Sequence, residues 1–246
     1  MLYTTPKCYI HSIKTHSDVT NENLVTVAYN VTYNGSCNKN TKVEVQLLDG
    51  DSPIGGSNGE TGRIEVVRPK LWWPVGMNES VGHMYNFHVK LSGGDEYQLP
   101  VGIRTVKVDG TRFLINDKPF YFLGVGKHED WATRGKGFDW PSVVKDFNLL
   151  GWLGANSFRT SHYPYSEQIM RMCDERGIVV IDECPAVGMK YEEKFSDVTM
   201  LRHKAVMREM TSRDFNHPSV VMWSVANEPK SNTEATANYF KVCLLF

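Results

Sequence analysis

The 246-residue sequence has no excess of charge of either sign, since 27 basic and 28 acidic residues leave a formal net charge of -1. Nucleic acids and membrane surfaces attract strongly basic proteins, so we expect neither as a partner. The sequence also has no apolar run long enough to cross a bilayer. It begins without a basic segment followed by an apolar one, and we therefore expect no signal peptide in this chain.

Cysteine pairs with metal-site or redox spacing are missing as well. The five cysteines, at positions 8, 37, 173, 184 and 243, contain no CxxC and are odd in number. This pattern predicts buried or free thiols rather than a disulfide framework. Glycine-rich nucleotide-binding motifs are also absent, so no nucleotide cofactor is expected, and Ser161 does not lie in the GxSxG turn of serine hydrolases.

Short patterns for N-glycosylation occur three times, at Asn30, Asn34 and Asn78. In a secreted protein they would mark acceptor sites on the surface. Chance occurrence of so short a pattern is the alternative, and both interpretations stay open at the level of the sequence.

Apolar residues alternate with polar ones through the first hundred residues, which is the period of half-buried β-strands. The alternation is clearest at 24–33, 43–47 and 85–91. Asn34-Gly35 adds a strong signal for a hairpin turn. Several short strands of this kind predict an immunoglobulin-like β-sandwich over residues 1–107. Trp72 and Trp73 are expected in core or interdomain packing, with a sugar-binding platform as the alternative.

The pattern changes after residue 108, where a predicted hairpin with its turn at Asn116-Asp117 precedes strands that alternate with helices. The predicted strands are 121–126, 156–160, 178–182 and 220–225. The predicted helices are 140–154, 165–176 and 198–215, and Asp139 is the expected N-cap of the first. This alternation predicts parallel βαβ units over residues 108–246.

Polar side chains follow each predicted parallel strand. They are Lys127, His128, Glu129 and Asp130; Arg159, Ser161 and His162; Asp182 and Glu183; and Asn227 and Glu228. In a (β/α) barrel such strand ends lie on the face that houses catalysis. We expect Arg159 to pair with carboxylates there. The alternative to a catalytic role is that Glu228 lies in a simple turn and is solvated.

A metal site is a rival interpretation of the same strand ends. Its possible ligands would be His128, His162, Glu183 and Cys184. No HExxH or comparable spacing supports this interpretation, so we expect no metal.

Several segments of the chain match the signatures of one enzyme family. They are 99–105, 127–130, 134–141, 156–164, 181–185 and 216–228. On these segments the sequence resembles glycoside hydrolase family 2, and within it the β-glucuronidases. The resemblance implies an immunoglobulin-like β-sandwich followed by a (β/α)8 TIM barrel. It also implies retaining hydrolysis of terminal β-D-glucuronosides without a cofactor.

The resemblance assigns roles to four residues. Glu228 would be the catalytic general acid/base, in a mechanism that uses two carboxylates about 5 Å apart. Asn227 would bind the 2-hydroxyl of the sugar, and His162 and His128 would hold other sugar hydroxyls. A purely structural histidine is the alternative for His128.

The family's second catalytic carboxylate, the nucleophile, is a glutamate on the seventh barrel strand. The chain matches four strands only, and Glu234 is its one carboxylate after Glu228. We therefore expect an incomplete TIM barrel over 108–246, without the family's N-terminal jelly roll and without turnover by the chain alone. One alternative is a non-catalytic carbohydrate-binding or interaction fragment. Another is a self-contained pair of Glu183 and Glu228.

The resemblance also implies partners and location. The substrates would be glucuronides and glycosaminoglycan fragments. Full-length members of the family are often homotetramers. Residence in the lysosome or the secretory pathway is the expected location.

Overall fold

The computed structural model describes residues 3–21, 23–190, 195–230 and 232–243. It divides the chain into two units. The first takes in the chain up to Trp73 together with Met77–Phe120, and the second takes in Pro74–Gly76 and the chain from Tyr121 onward. The predicted boundary between a sandwich domain at 1–107 and a barrel domain at 108–246 stays a prediction.

Seven strands form two antiparallel sheets in the first unit. One sheet has the order β1-β2-β5, with β1 (Cys8–Asn21), β2 (Leu24–Gly35) and β5 (Thr61–Val67). The other has the order β4-β3-β6-β7, with β3 (Val43–Asp49), β4 (Ser52–Asn58), β6 (Tyr85–Leu91) and β7 (Glu96–Val101). Alternate residues of β2, β3 and β6 are buried in one core, as the period-two pattern requires. The predicted sandwich is confirmed.

The prediction of free thiols was wrong for two cysteines. Cys8 and Cys37 form a disulfide with their Cα atoms 4.7 Å apart. The antiparallel register of β1 and β2 sets Cys8 opposite Gly35 and so brings the two thiols together. Because the cysteines are 29 residues apart, only the strand pairing reveals this proximity. Cys173 and Cys184 are buried thiols outside any disulfide, as predicted, and the side chain of Cys243 lies outside the described residues.

A small sheet completes the first unit with the order β10-β9-β8, made of β8 (Val106–Asp109), β9 (Arg112–Ile115) and β10 (Lys118–Pro119). Asn116 and Asp117 both have positive φ, at 51° and 58°, which confirms the predicted turn. The Asn116 amide also donates to the carbonyl of Trp72, at 2.9 Å. Trp72 is fully buried, so its predicted packing role is confirmed.

Four parallel strands form the sheet of the second unit, in the order β11-β12-β13-β14. They are β11 (Gly124–Lys127), β12 (Ser157–Thr160), β13 (Val179–Glu183) and β14 (Val220–Ser224). The helices are α1 (Trp140–Trp152), α2 (Glu167–Arg176), α3 (Asp197–Asp214) and α4 (Glu234–Cys243). This arrangement confirms the predicted parallel βαβ units of a partial TIM barrel. None of the described helices is both long and apolar enough to cross a membrane.

Local signals account for most boundaries in this unit. Asp139 caps α1, since its carboxylate accepts from the Ser142 backbone N–H at 3.2 Å, and Gly177 ends α2 in the left-handed conformation. The first strand begins later than predicted, at Gly124. Before Gly124, the side-chain amide of Asn156 accepts a hydrogen bond from the Leu123 backbone N–H and donates one to the Tyr121 carbonyl. These bonds replace the ladder bonds of a longer strand.

Candidate active site

The four parallel strands end at the same edge of their sheet. Lys127 lies beside Thr160 in the register of β11 and β12, and Glu183 lies beside Ser224 in that of β13 and β14. The predicted site residues end these strands or follow them. The sheet therefore brings to one edge side chains that are as many as 100 residues apart in the sequence, from His128 to Glu228.

Glu183 contacts three side chains of the neighbouring strand ends. Its side chain is fully buried, and its Oε1 lies 2.8 Å from His162 Nδ1. Its Oε2 accepts a hydrogen bond from Ser224 Oγ at 2.7 Å and pairs with Arg159 Nε at 3.2 Å. The predicted pairing of Arg159 with a carboxylate is confirmed. Ser224 was not singled out by the sequence, since a serine at the end of a strand carries no signal of its own.

The two candidate sugar-binding histidines are neighbours. The rings of His128 and His162 have centroids 5.4 Å apart and meet edge to face. His128 also lies 6.4 Å from the ring of Tyr163, and the peptide bond between Ser161 and His162 is cis. His128 is exposed, whereas His162 is partly buried, so both rings are accessible at the edge of the sheet.

Asn227 and Glu228 follow β14 in a backbone segment held by the loop after β13. The Asn227 backbone N–H donates to the Ala186 carbonyl at 3.0 Å. Glu228 has a φ of 44° and 76% of its side chain exposed, with its Oε2 3.9 Å from Lys190 Nζ. Within the described part of the chain, no hydrogen bond or ion pair joins Asn227 or Glu228 to either histidine.

His203, a residue that the sequence did not flag, holds the end of β14 from α3. Its Nε2 lies 2.7 Å from the Val225 carbonyl and its Nδ1 lies 3.1 Å from the Tyr239 hydroxyl. Because the carbonyl only accepts, Nε2 carries the hydrogen. Burial lowers the pKa of His203 and so favours the neutral ring. This contact anchors the segment that leads to Asn227 and Glu228.

Other predicted site residues serve the scaffold. Lys127 is nearly buried and pairs with Asp146 at 2.5 Å. Glu129 accepts from the Ser166 backbone N–H at 2.8 Å. Asp182 faces away from Glu183 toward α3, and burial together with the nearby Asp214 raises its pKa to about 8. Among the described residues, no group of three or more histidine, cysteine or acidic side chains is arranged to hold a metal ion.

The contacts of Glu183 bear on the alternative that Glu183 and Glu228 act as a pair. Both oxygens of Glu183 are engaged by donors, and its side chain has no exposed surface. A nucleophilic carboxylate must reach the anomeric carbon of a sugar. The geometry therefore argues against Glu183 in that role.

Known protein families and relatives match the sequence over nearly its whole length. The sequence-family model for glycosyl hydrolases family 2 matches residues 8–104, and the sequence-family model for the TIM barrel domain of this family matches residues 106–243. β-Glucuronidase of Mus musculus is 51% identical over 249 residues, and that of Homo sapiens is 50% identical over 252. Each alignment covers 99% of this chain, which spans only 38% of the length of these relatives.

Solved structures agree with the sequence relatives. A β-D-glucuronidase structure from Dictyoglomus thermophilum has a TM-score of 0.88 at 43% identity, covering 98% of this chain and 42% of that chain. A β-glucuronidase structure from Ruminococcus gnavus has a TM-score of 0.89 at 36% identity, covering 98% of this chain and 41% of that chain. The family models together cover nearly all of the described residues. The chain belongs to glycosyl hydrolase family 2.

Proposed function

We propose that the chain is part of a retaining β-glucuronidase, which hydrolyses terminal β-D-glucuronosides. The observation that carries the proposal is the alignment of 99% of the chain with β-glucuronidases at about half identity. The geometry supports the proposal, because His128 and His162 are neighbours at the edge of a parallel sheet, and barrel enzymes hold their active sites at the corresponding edge. Since the chain spans 38% of those relatives, the activity belongs to a protein that contains the rest of the barrel.

Four residues would act on the sugar. Glu228 would protonate the departing glycosidic oxygen and then activate water, as general acid and general base. Asn227 would bind the 2-hydroxyl, and His162 and His128 would hold further hydroxyls. The exposed position of Glu228 lacks the enclosure that an acid/base residue needs, so neighbouring barrel strands would have to supply it.

The chain alone should not turn over a glucuronide. A retaining mechanism needs a second carboxylate as nucleophile. After Glu228 the sequence offers only Glu234, which lies in the first turn of α4. No cofactor or metal is required by this mechanism.

Glucuronides and glycosaminoglycan fragments are the proposed substrates, and a homotetramer is the proposed assembly of the full-length protein. We also propose the lysosome or secretory pathway as its location. The Cys8–Cys37 disulfide favours an oxidising compartment. Asn30, Asn34 and Asn78 are all exposed, as acceptors of N-linked glycans must be.

A chimaera tests the activity. Residues 8–243 would replace the corresponding segment of mouse β-glucuronidase, and turnover of a chromogenic β-glucuronide would be compared with that of a β-galactoside. We expect hydrolysis of the glucuronide, and Glu228→Gln should lower kcat by about 10²- to 10⁴-fold, the usual contribution of general acid–base catalysis. Glu175→Gln, at an exposed position of α2, is the matched control. A folded chimaera that cleaves only the galactoside, or that is indifferent to Glu228→Gln, would refute the proposal.

A second candidate function is carbohydrate binding without catalysis. The observation in its favour is that the two histidines are in place while Glu228 is exposed. Calorimetric titration of the isolated chain with glucuronate tests it. Binding that is lost in His162→Ala, in a chain without turnover, would support this function, and heats no larger than those of dilution would exclude it.

A further inference from the structure

Glu183 is a buried carboxylate for which the proposed mechanism has no use. Its side chain has no exposed surface, although it ends β13 at the edge where His162 lies. Taking a carboxylate out of water is strongly unfavourable unless partners compensate it. The partners of Glu183 therefore indicate what a buried carboxylate does at the end of β13.

Three side chains from the neighbouring strands converge on this carboxylate. Ser224, on β14, donates to Oε2, and Arg159, on β12, pairs with the same oxygen. His162, which follows β12, meets Oε1 through Nδ1 at 2.8 Å. The Glu183 backbone N–H is also held, since it donates to Thr160 Oγ1 at 2.8 Å. The Glu183 carboxylate is thus held in place by contacts other than the one with His162.

We propose that Glu183 is a positioning residue that holds His162 in its Nδ1–H tautomer. A carboxylate flanked by Arg159 only accepts, so Nδ1 must carry the hydrogen. In the neutral ring Nε2 is then left as an acceptor. An acceptor at this position receives a hydrogen bond from a sugar hydroxyl. That last step rests on the proposed function, whereas the state of the ring does not.

The chain contains an internal reference for this assignment. His203 has the opposite tautomer, because its Nε2–H donates to the Val225 carbonyl and its Nδ1 accepts from Tyr239. His203 makes no hydrogen bond or ion pair with Glu183 among the described residues. A single spectrum can therefore report both the proposed effect and the integrity of the fold.

Long-range ¹H–¹⁵N spectra of the full chain, labelled at its histidines and recorded at neutral pH, would test the proposal. His162→Gln identifies the signals of His162. We expect a protonated Nδ1 and an unprotonated Nε2 in the wild type. Glu183→Gln should invert this pattern: Arg159 can only donate, so the new amide oxygen faces Arg159 and the amide NH₂ faces His162. His203 should keep its Nε2–H form throughout.

An Nε2–H ring at His162 in the wild type would overturn the proposal without any variant. An Nδ1–H ring retained in Glu183→Gln, with His203 unchanged, would also overturn it. If the variant alters the His203 signals, its fold has changed and the wild-type spectrum decides. Methyl β-D-glucuronide is then added: a shift of His162 Nε2 supports the sugar contact. A correct tautomer with no shift would uphold the role of Glu183 and refute that contact.

Discussion

Removal of the Cys8–Cys37 disulfide should lower the free energy of unfolding of the sandwich by an amount that follows from the length of the closed loop. The bridge closes a loop whose ends are 29 residues apart. The entropy of closing such a loop in the unfolded chain corresponds to about 3.6 kcal/mol at 25 °C. Both cysteines are only partly buried, so Cys8→Ser/Cys37→Ser should lose little packing beyond the cross-link. A loss of this size is a large share of the usual stability of a domain, about 5–15 kcal/mol.

Native-state hydrogen exchange, read by mass spectrometry on separate peptides, measures this loss where it occurs. The opening free energy of peptides from β1, β2 and β5 should fall, whereas peptides from β12 and β13, in the second unit, should be unchanged. The wild type under reducing conditions is the matched control, since it lacks the bond but keeps both sulfur atoms. Agreement between the reduced wild type and the double variant is expected.

Two results would refute this reasoning. A fall of less than about 1 kcal/mol in β2 would show that the unfolded chain gains little freedom when the bridge is cut. An equal fall in β12 and β13 would show that the two units unfold together. The first result would refute the loop-closure estimate, and the second would refute the confinement of the loss to the sandwich.

Two further predictions concern single carboxylates of the second unit. Burial and Asp214 raise the pKa of Asp182 to about 8, so between about pH 4 and pH 8 the folded chain binds a proton that the unfolded chain has released. The free energy of unfolding should thus fall as pH rises through this range. Urea titrations of Asp182→Asn should show a weaker fall, and the same dependence on pH in variant and wild type would contradict the prediction. Asp139→Ala should lower the unfolding free energy by about 1 kcal/mol, because it removes the N-cap acceptor for Ser142. Asp139→Asn, which keeps an acceptor, should lose less in thermal unfolding, and equal losses would mean that the cap bond is not the cause.

Most of the fold could be predicted because its signals are local. Alternation along β2, β3 and β6 reflects which face of a strand is buried, and that requires no knowledge of the partner strand. The turn at Asn116-Asp117, the cap at Asp139 and the stop at Gly177 are likewise set by one or two residues. The Cys8–Cys37 bond was missed because it depends on the register of two whole strands.

The candidate site was predictable to the level of the strand ends and no further. Position after a parallel strand indicates which residues share an edge, and Arg159, His162 and Glu183 do share one. The contact between His162 and Glu183 depends on side-chain direction at the ends of neighbouring strands, for which the sequence has no pattern. His203 reaches the same region from a helix, where the sequence does not distinguish a buried histidine from any other polar residue of the helix.

The order of the strands explains why the two ends of the site differ. Glu183 ends β13, which has β12 and β14 on its two sides, so its side-chain partners among the described residues lie on these strands or, like His162, just after β12. Glu228 follows β14, which has β13 on one side only in this sheet, and its side chain is exposed. A barrel closes by pairing such a strand with a further one. The histidine contacts should therefore be measurable in this chain, while the acid/base environment of Glu228 should form only where another strand lies beside β14.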